Sequence, residues 1–124
     1  MLSNSPIIPT LPAADLDRAR AWYEEKLGLK ASQERSDGLM YDCGGTQFLL
    51  YPTSFAGTAQ NTLAGWRVED IQAEMADLRT RGVVFEEYDF PGLKTVDGVA
   101  DFEGGKGSWF KDSEGNTLAL TQEG

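Results

Sequence analysis

The chain has 124 residues, 40% hydrophobic and 25% charged, the make-up of one globular domain that can bury a core without disulfide or metal staples. A net charge of −9 excludes a basic nucleic-acid surface, and the absence of histidine excludes His-based triads, His-rich zinc sites and an imidazole base. The single cysteine, Cys43, excludes an internal disulfide, and no apolar run is long enough to span a membrane.

Residues 7–12 predict a short strand whose prolines suit a sheet edge. Asp15 offers an N-cap to a helix with Leu16, Ala19, Tyr23 and Leu27 at helical spacing and Trp22 beside them. Gly28 ends that helix. Three strands are predicted next, over residues 29–34, 39–43 and 46–51, with turns at Asp37-Gly38 and Gly44-Gly45. Residues 53–61, rich in Thr, Ser, Gly and Ala, read as a linker.

The pattern then restarts. Residues 62–68 predict a strand, and Asp70 caps a helix with Ile71, Met75 and Leu78 on one face, ended by Gly82. Residues 83–86 predict a further strand. Residues 90–105 read as a loop with room for one short strand near 95–100. Strands over 106–111 and 116–121 flank Asp112-Ser113-Glu114-Gly115 and make a closing hairpin. One α+β domain over residues 1–124 is therefore expected: two βαβββ modules, about 6–52 and 62–122, joined by the linker. The start of the chain has neither the basic residues nor the apolar run of a secretion signal, so a cytoplasmic location is expected.

Three motifs carry a resemblance. Leu11-Pro12-Ala13-Ala14-Asp15-Leu16 leads to Trp22-Tyr23 and Leu27-Gly28-Leu29. Val68-Glu69-Asp70-Ile71 leads to Gly82-Val83. Trp109-Phe110-Lys111-Asp112-Ser113-Glu114-Gly115-Asn116 closes the chain. In this order they resemble the glyoxalase/bleomycin-resistance/extradiol-dioxygenase superfamily, the vicinal oxygen chelate proteins, with Ser113 where that family usually has proline. The resemblance implies a curled mixed sheet forming a cup, with the helices outside. It also implies that metal ligands, where present, occupy the positions of Ile8, Leu49, Leu63 and Ala119. Aliphatic side chains offer no lone pair, so no metal and no cofactor are expected.

Strand alternation extends that inward set to Thr10, Gln47, Tyr51, Gly65 and Arg67, with Trp109 pairing near Ala119. The outward set is Phe48, Leu50, Trp66, Val68, Leu118 and Leu120, which suits packing under the helices. The inward residues read either as a small-molecule pocket or as core filling. An inward Arg67 needs an acidic partner from the protein or a ligand. The acidic residues Glu86, Glu87, Asp89, Asp97, Asp101 and Glu103 read as a solvated face, with acid–base work or a cationic ligand as the alternative. Gly104-Gly105-Lys106-Gly107 reads as a turn.

The expected function is small-molecule binding. Similarity to the bleomycin-resistance branch implies a homodimer that sequesters a cationic or aromatic drug-like compound. The alternative is a metal-independent isomerase or lyase using Glu86, Glu87, Asp42 or Tyr51. Neither nucleic acid nor membrane is an expected partner.

Overall fold

The computed structural model describes residues 1–124. Its first module contains β1 (Thr10–Ala13), α1 (Leu16–Leu27), β2 (Gln33–Arg35), β3 (Gly38–Cys43) and β4 (Thr46–Pro52). The second contains β5 (Thr62–Arg67), α2 (Ile71–Thr80), β6 (Asp89–Phe90), β7 (Leu93–Val96), β8 (Val99–Phe102), β9 (Gly105–Lys111) and β10 (Thr117–Glu123). No helix is long and apolar enough to cross a membrane.

Both helices start as the sequence predicts. The Asp15 carboxylate accepts from the Arg18 amide at 3.0 Å, and the Asp70 carboxylate accepts from the Ala73 amide at 3.1 Å. Gly28 stops α1 in the left-handed conformation, φ 70°, which a side chain would resist.

The strands form two mixed sheets, one ordered β1-β4-β3-β2 and the other β5-β10-β9-β8-β7-β6, and they do not close into a barrel. In each, the strand before the helix pairs in parallel with the last strand of its module. The repeat is therefore one of topology, and the second copy is widened by an additional hairpin.

Four boundaries differ from expectation. The first strand begins at Thr10, because Pro9 has no N–H and contributes only its carbonyl, to the Leu49 amide. Ile7 and Ile8 precede the strand and are exposed. Residues 29–32 stay outside β2, with Leu29 and Ala31 packed against the core. Residues 83–86 make only a bridge, Phe85 to Phe110, extended by Glu86 N–H donating to the Trp109 carbonyl at 2.8 Å. The expected loop over 90–105 is mostly strand, β6 to β8. Its tight turn at Asp97-Gly98 has φ 53° and 82°, the positive pair that a two-residue hairpin requires.

One core spans both modules. Leu11, Tyr23, Tyr41, Phe48 and Leu50 pack in one cluster with Ile71, Met75, Phe85, Phe110, Leu118 and Leu120. Trp22 and Trp66, each stacked near Phe110 at 6.4 Å, brace its edge. The outward set of the strand alternation thus lies under the helices, as expected: Phe48, Leu50, Leu118 and Leu120 are buried, and Trp66 and Val68 pack against them.

Polar groups join the modules where the core ends. The turn after β9 folds against the start of α1. Tyr23 Oη donates to Asp112 at 2.6 Å, and Asn116 Nδ2 donates to the Pro12 carbonyl at 2.8 Å. Glu114 accepts from the Asp15 amide at 2.9 Å and from Arg18 at 2.9 and 3.0 Å. Burial by itself pushes the Glu114 carboxyl up. The donors Arg18, Asp15 N–H and Ser113, with the Arg18 charge, outweigh it and hold the group down at about 2.

Candidate functional site

The faces of the two sheets turned away from the core carry most of the predicted inward residues. On the first sheet Thr10 lies opposite Leu49, which lies opposite Met40, so these three form one row. On the second, Gly65, Ala119 and Trp109 form a row, with Arg67 opposite Thr121 beside it. Gly65 is set close over its neighbour, since an added Cβ would stand 3.2 Å from the Ala119 carbonyl oxygen.

Leu63 does not join that row. The β5–β10 register shifts between Thr117 and Leu118, and an extra residue in β5 breaks the alternation there. Leu63 instead packs against the core. A bulge carries no sequence signal that alternation alone can read.

A groove of about 420 Å³ opens at the seam between the modules and is lined by Gln47, Gly65 and Arg67 together with Phe48, Trp66 and Cys43. Ile8 lines a neighbouring recess with Asp42, Thr46 and Gln47. Thr10, Leu49, Tyr51, Leu63, Trp109 and Ala119 line neither. Arg67 donates to Glu123 at 2.7 Å, so its charge is met within the chain, at an exposed position. No three His, Cys, Asp or Glu side chains converge in a metal-binding group.

Two of the carboxylates considered for acid–base work are engaged. Glu87 accepts from Thr95 Oγ1 at 2.6 Å and from the Gly98 amide at 2.9 Å, and these bonds hold it below the usual carboxylate range. It ties the β7–β8 turn down and is not poised to take a proton. Asp42 accepts from Gln47 at 2.6 Å.

The added hairpin region brings two rings to Trp109, and a third beside them, that the loop reading missed. Tyr88 meets Trp109 edge to face at 5.6 Å, Phe102 meets it at 6.3 Å, and Phe90 stacks on Tyr88 at 5.9 Å. Burial, and then the Glu86 charge, raise the Tyr88 hydroxyl above its ordinary value. A recess of about 350 Å³ beside Tyr88 is lined by Glu86, Lys111, Thr117 and linker residues Gly57, Ala59 and Gln60. The Asp97-Gly98 dipeptide between Thr95-Val96 and Val99-Ala100 was the available signal for this hairpin, and hence for the face its rings share.

The family model described as Glyoxalase/Bleomycin resistance protein/Dioxygenase superfamily matches residues 8–120. No curated protein sequence matches. Among solved structures, TnmS3, an antibiotic binding protein from Streptomyces sp. CB03234, superposes with TM-score 0.73 at 22% identity, covering 100% of this chain and 99% of that one. A bleomycin-binding protein complexed with bleomycin gives 0.73 at 20% identity, covering 98% and 100%. A glyoxalase/bleomycin resistance protein/dioxygenase from Alicyclobacillus acidocaldarius gives 0.70 at 20%, covering 97% and 92%. With a βαβββ unit followed by a second one that an added hairpin widens, and a family match over nearly the whole length, the chain belongs to the glyoxalase/bleomycin resistance protein/dioxygenase superfamily.

Proposed function

We propose that the protein binds a small organic molecule without a metal, on the sheet faces turned away from the core, and works as a homodimer. The observation that carries this reading is the chemistry of the positions at which the resemblance puts metal ligands. Ile8, Leu49, Leu63 and Ala119 are all aliphatic, in a chain without histidine. The rows that hold Leu49 and Ala119 add Met40 and Trp109, with Thr10 and Arg67 as polar handles, a mixture suited to a small molecule. Structural neighbours that bind antibiotics, bleomycin among them, support the ligand-binding reading. The acidic surface favours a cationic or aromatic compound over an anion. Sequestration in the cytoplasm is the role proposed.

The metal-independent isomerase or lyase reading has lost Glu87 to the hairpin turn, and nothing in the site favours it.

Calorimetry and native mass spectrometry against bleomycin-type glycopeptides and planar aromatic antibiotics test the proposal. A one-to-one complex per protomer, with shifts of the Leu49 and Ala119 amide signals, is expected. Absence of binding by the whole panel rejects it. Elemental analysis should find no stoichiometric metal, and a chelator should leave the melting temperature unchanged. Stoichiometric zinc, iron or manganese would overturn the metal-free claim.

A further inference from the structure

Residues 86–106 contain six carboxylates and two ammonium groups. Two of the carboxylates are committed, Glu87 to Thr95 and Gly98, and Asp101 to Lys106 at 2.5 Å. Glu86, Asp89, Asp97 and Glu103 take part in no ion pair. A solvated face accounts for such charge where nothing else gathers beside it. Here the same segment supplies three aromatic rings: Tyr88 and Phe102 meet Trp109, and Phe90 stacks on Tyr88.

Tyr88 and Phe102 both stand nearly perpendicular to the Trp109 indole, at 72° and 86°. Small residues beneath make room for them. A Cβ added to Gly107 would lie 3.1 Å from Trp109 Cη2 and 3.3 Å from Phe102 Cε2, so a side chain there would crowd both rings. A satellite core of this kind would normally be covered. Phe102 is instead 47% exposed and Phe90 59% exposed.

An apolar patch alone would accept any hydrophobic molecule. Aromatic faces carry the negative side of the ring quadrupole, and Glu86 beside Tyr88 takes part in no ion pair, so both terms favour a cation and both disfavour an anion. The Glu86 backbone N–H donates a hydrogen bond to the Trp109 carbonyl, and Glu86 lines the recess next to Tyr88, where Lys111 is the one ammonium. A primary ammonium keeps its water shell at such an open place. A cation clad in methyl groups is weakly hydrated and covers ring faces with apolar surface while presenting its charge to them.

We propose that Tyr88, Phe102 and Trp109, with Glu86 at their side, bind the alkylated ammonium group of an organic cation. This rests on the ligand-binding reading and narrows it to the charged group of the ligand.

The experiment is an NMR titration of the full-length protein with choline and, in parallel, with its neutral carbon isostere dimethylbutanol. The Trp109 indole N–H signal, assigned with Trp109→Phe, is the reporter. Choline should shift that signal saturably, and the alcohol should bind roughly five- to thirtyfold more weakly. Phe102→Ala and Tyr88→Ala should each weaken choline severalfold. Glu86→Gln, which keeps the shape and removes the charge, should weaken choline and leave the alcohol unchanged. Equal affinity for the two probes, no shift with choline, or full retention of choline binding in Phe102→Ala/Tyr88→Ala would each overturn the proposal. The broader reading is judged separately by the Leu49 and Ala119 amides, which respond to an antibiotic ligand whether or not choline binds.

Discussion

Glu114 shows how much one side chain can hold. It is buried, yet it stays ionised because the Asp15 amide, Ser113 and the Arg18 guanidinium all donate to it. Its folded pKa lies at about 2, below its ordinary 4.5, so its contribution is fully present above about pH 4.5 and is lost as the pH falls toward 2. Glu114→Gln should cost about 1–3 kcal/mol at neutral pH, and the gap in melting temperature to the parent should close on acidification through that window. A gap independent of pH would reject this assignment. Two tyrosines 5.9 Å apart make opposite predictions. Tyr23 Oη is bonded to Asp112, so Tyr23→Phe should destabilise by about 1–2 kcal/mol in urea unfolding. Tyr41 Oη is buried with no partner, so Tyr41→Phe should be neutral or stabilising by up to about 1 kcal/mol. Equal losses in both variants would show that the hydroxyls are not distinguished by their partners.

Among the elements, the helices were the most legible. Asp15 and Asp70 announced their starts, apolar spacing announced their faces, and the structure agrees at both. The closing hairpin was legible for the same reason, through its turn residues. The β6–β8 region was not, because its strands are two to four residues long and carry acidic side chains at exposed positions, which read as loop. Three of the four rings of the aromatic face were therefore missed, although Trp109 was placed on it. The bulge at Thr117 hid Leu63 in a different way, by breaking an alternation that was otherwise sound. The β7–β8 turn offers a direct check. Gly98 has φ 82°, and an added Cβ would lie 3.0 Å from Met75 Cε and 3.2 Å from Phe85 Cβ. Gly98→Ala should cost about 2 kcal/mol or more and speed hydrogen exchange across β7 and β8. Unchanged exchange would mean that the hairpin does not depend on this turn.

At the scale of the whole molecule, the packed and unpacked sides of the sheets differ sharply. The side under the helices is one core shared by both modules. The other side leaves Thr10, Gln47, Gly65 and Arg67 exposed in rows beside buried Leu49 and Ala119. A second copy laid against such faces would enclose them, which is the physical case for the homodimer. Sedimentation equilibrium at micromolar concentration should therefore report twice the 13.6 kDa chain mass. A mass of one chain across the concentration series would remove the dimer from the proposal and leave the open faces as the complete site.

The stitching between modules also bears on how the chain acquires its shape as it is made. The first helix closes its N-terminal amide on Glu114, a partner 99 residues further on, and the second closes Ile71 N–H on Gln122, 51 residues on. Both bonds reach to the same closing hairpin. The leading half can form its turns and strands early, but it lacks Asp112, Glu114 and Asn116 until the closing hairpin has been made. Until then Tyr23, Asp15 N–H and the Pro12 carbonyl have only water to bond, and the half-core they border stays exposed. The closing hairpin thus commits both modules at once, and a pause in synthesis before it leaves an aggregation-prone intermediate rather than a finished half.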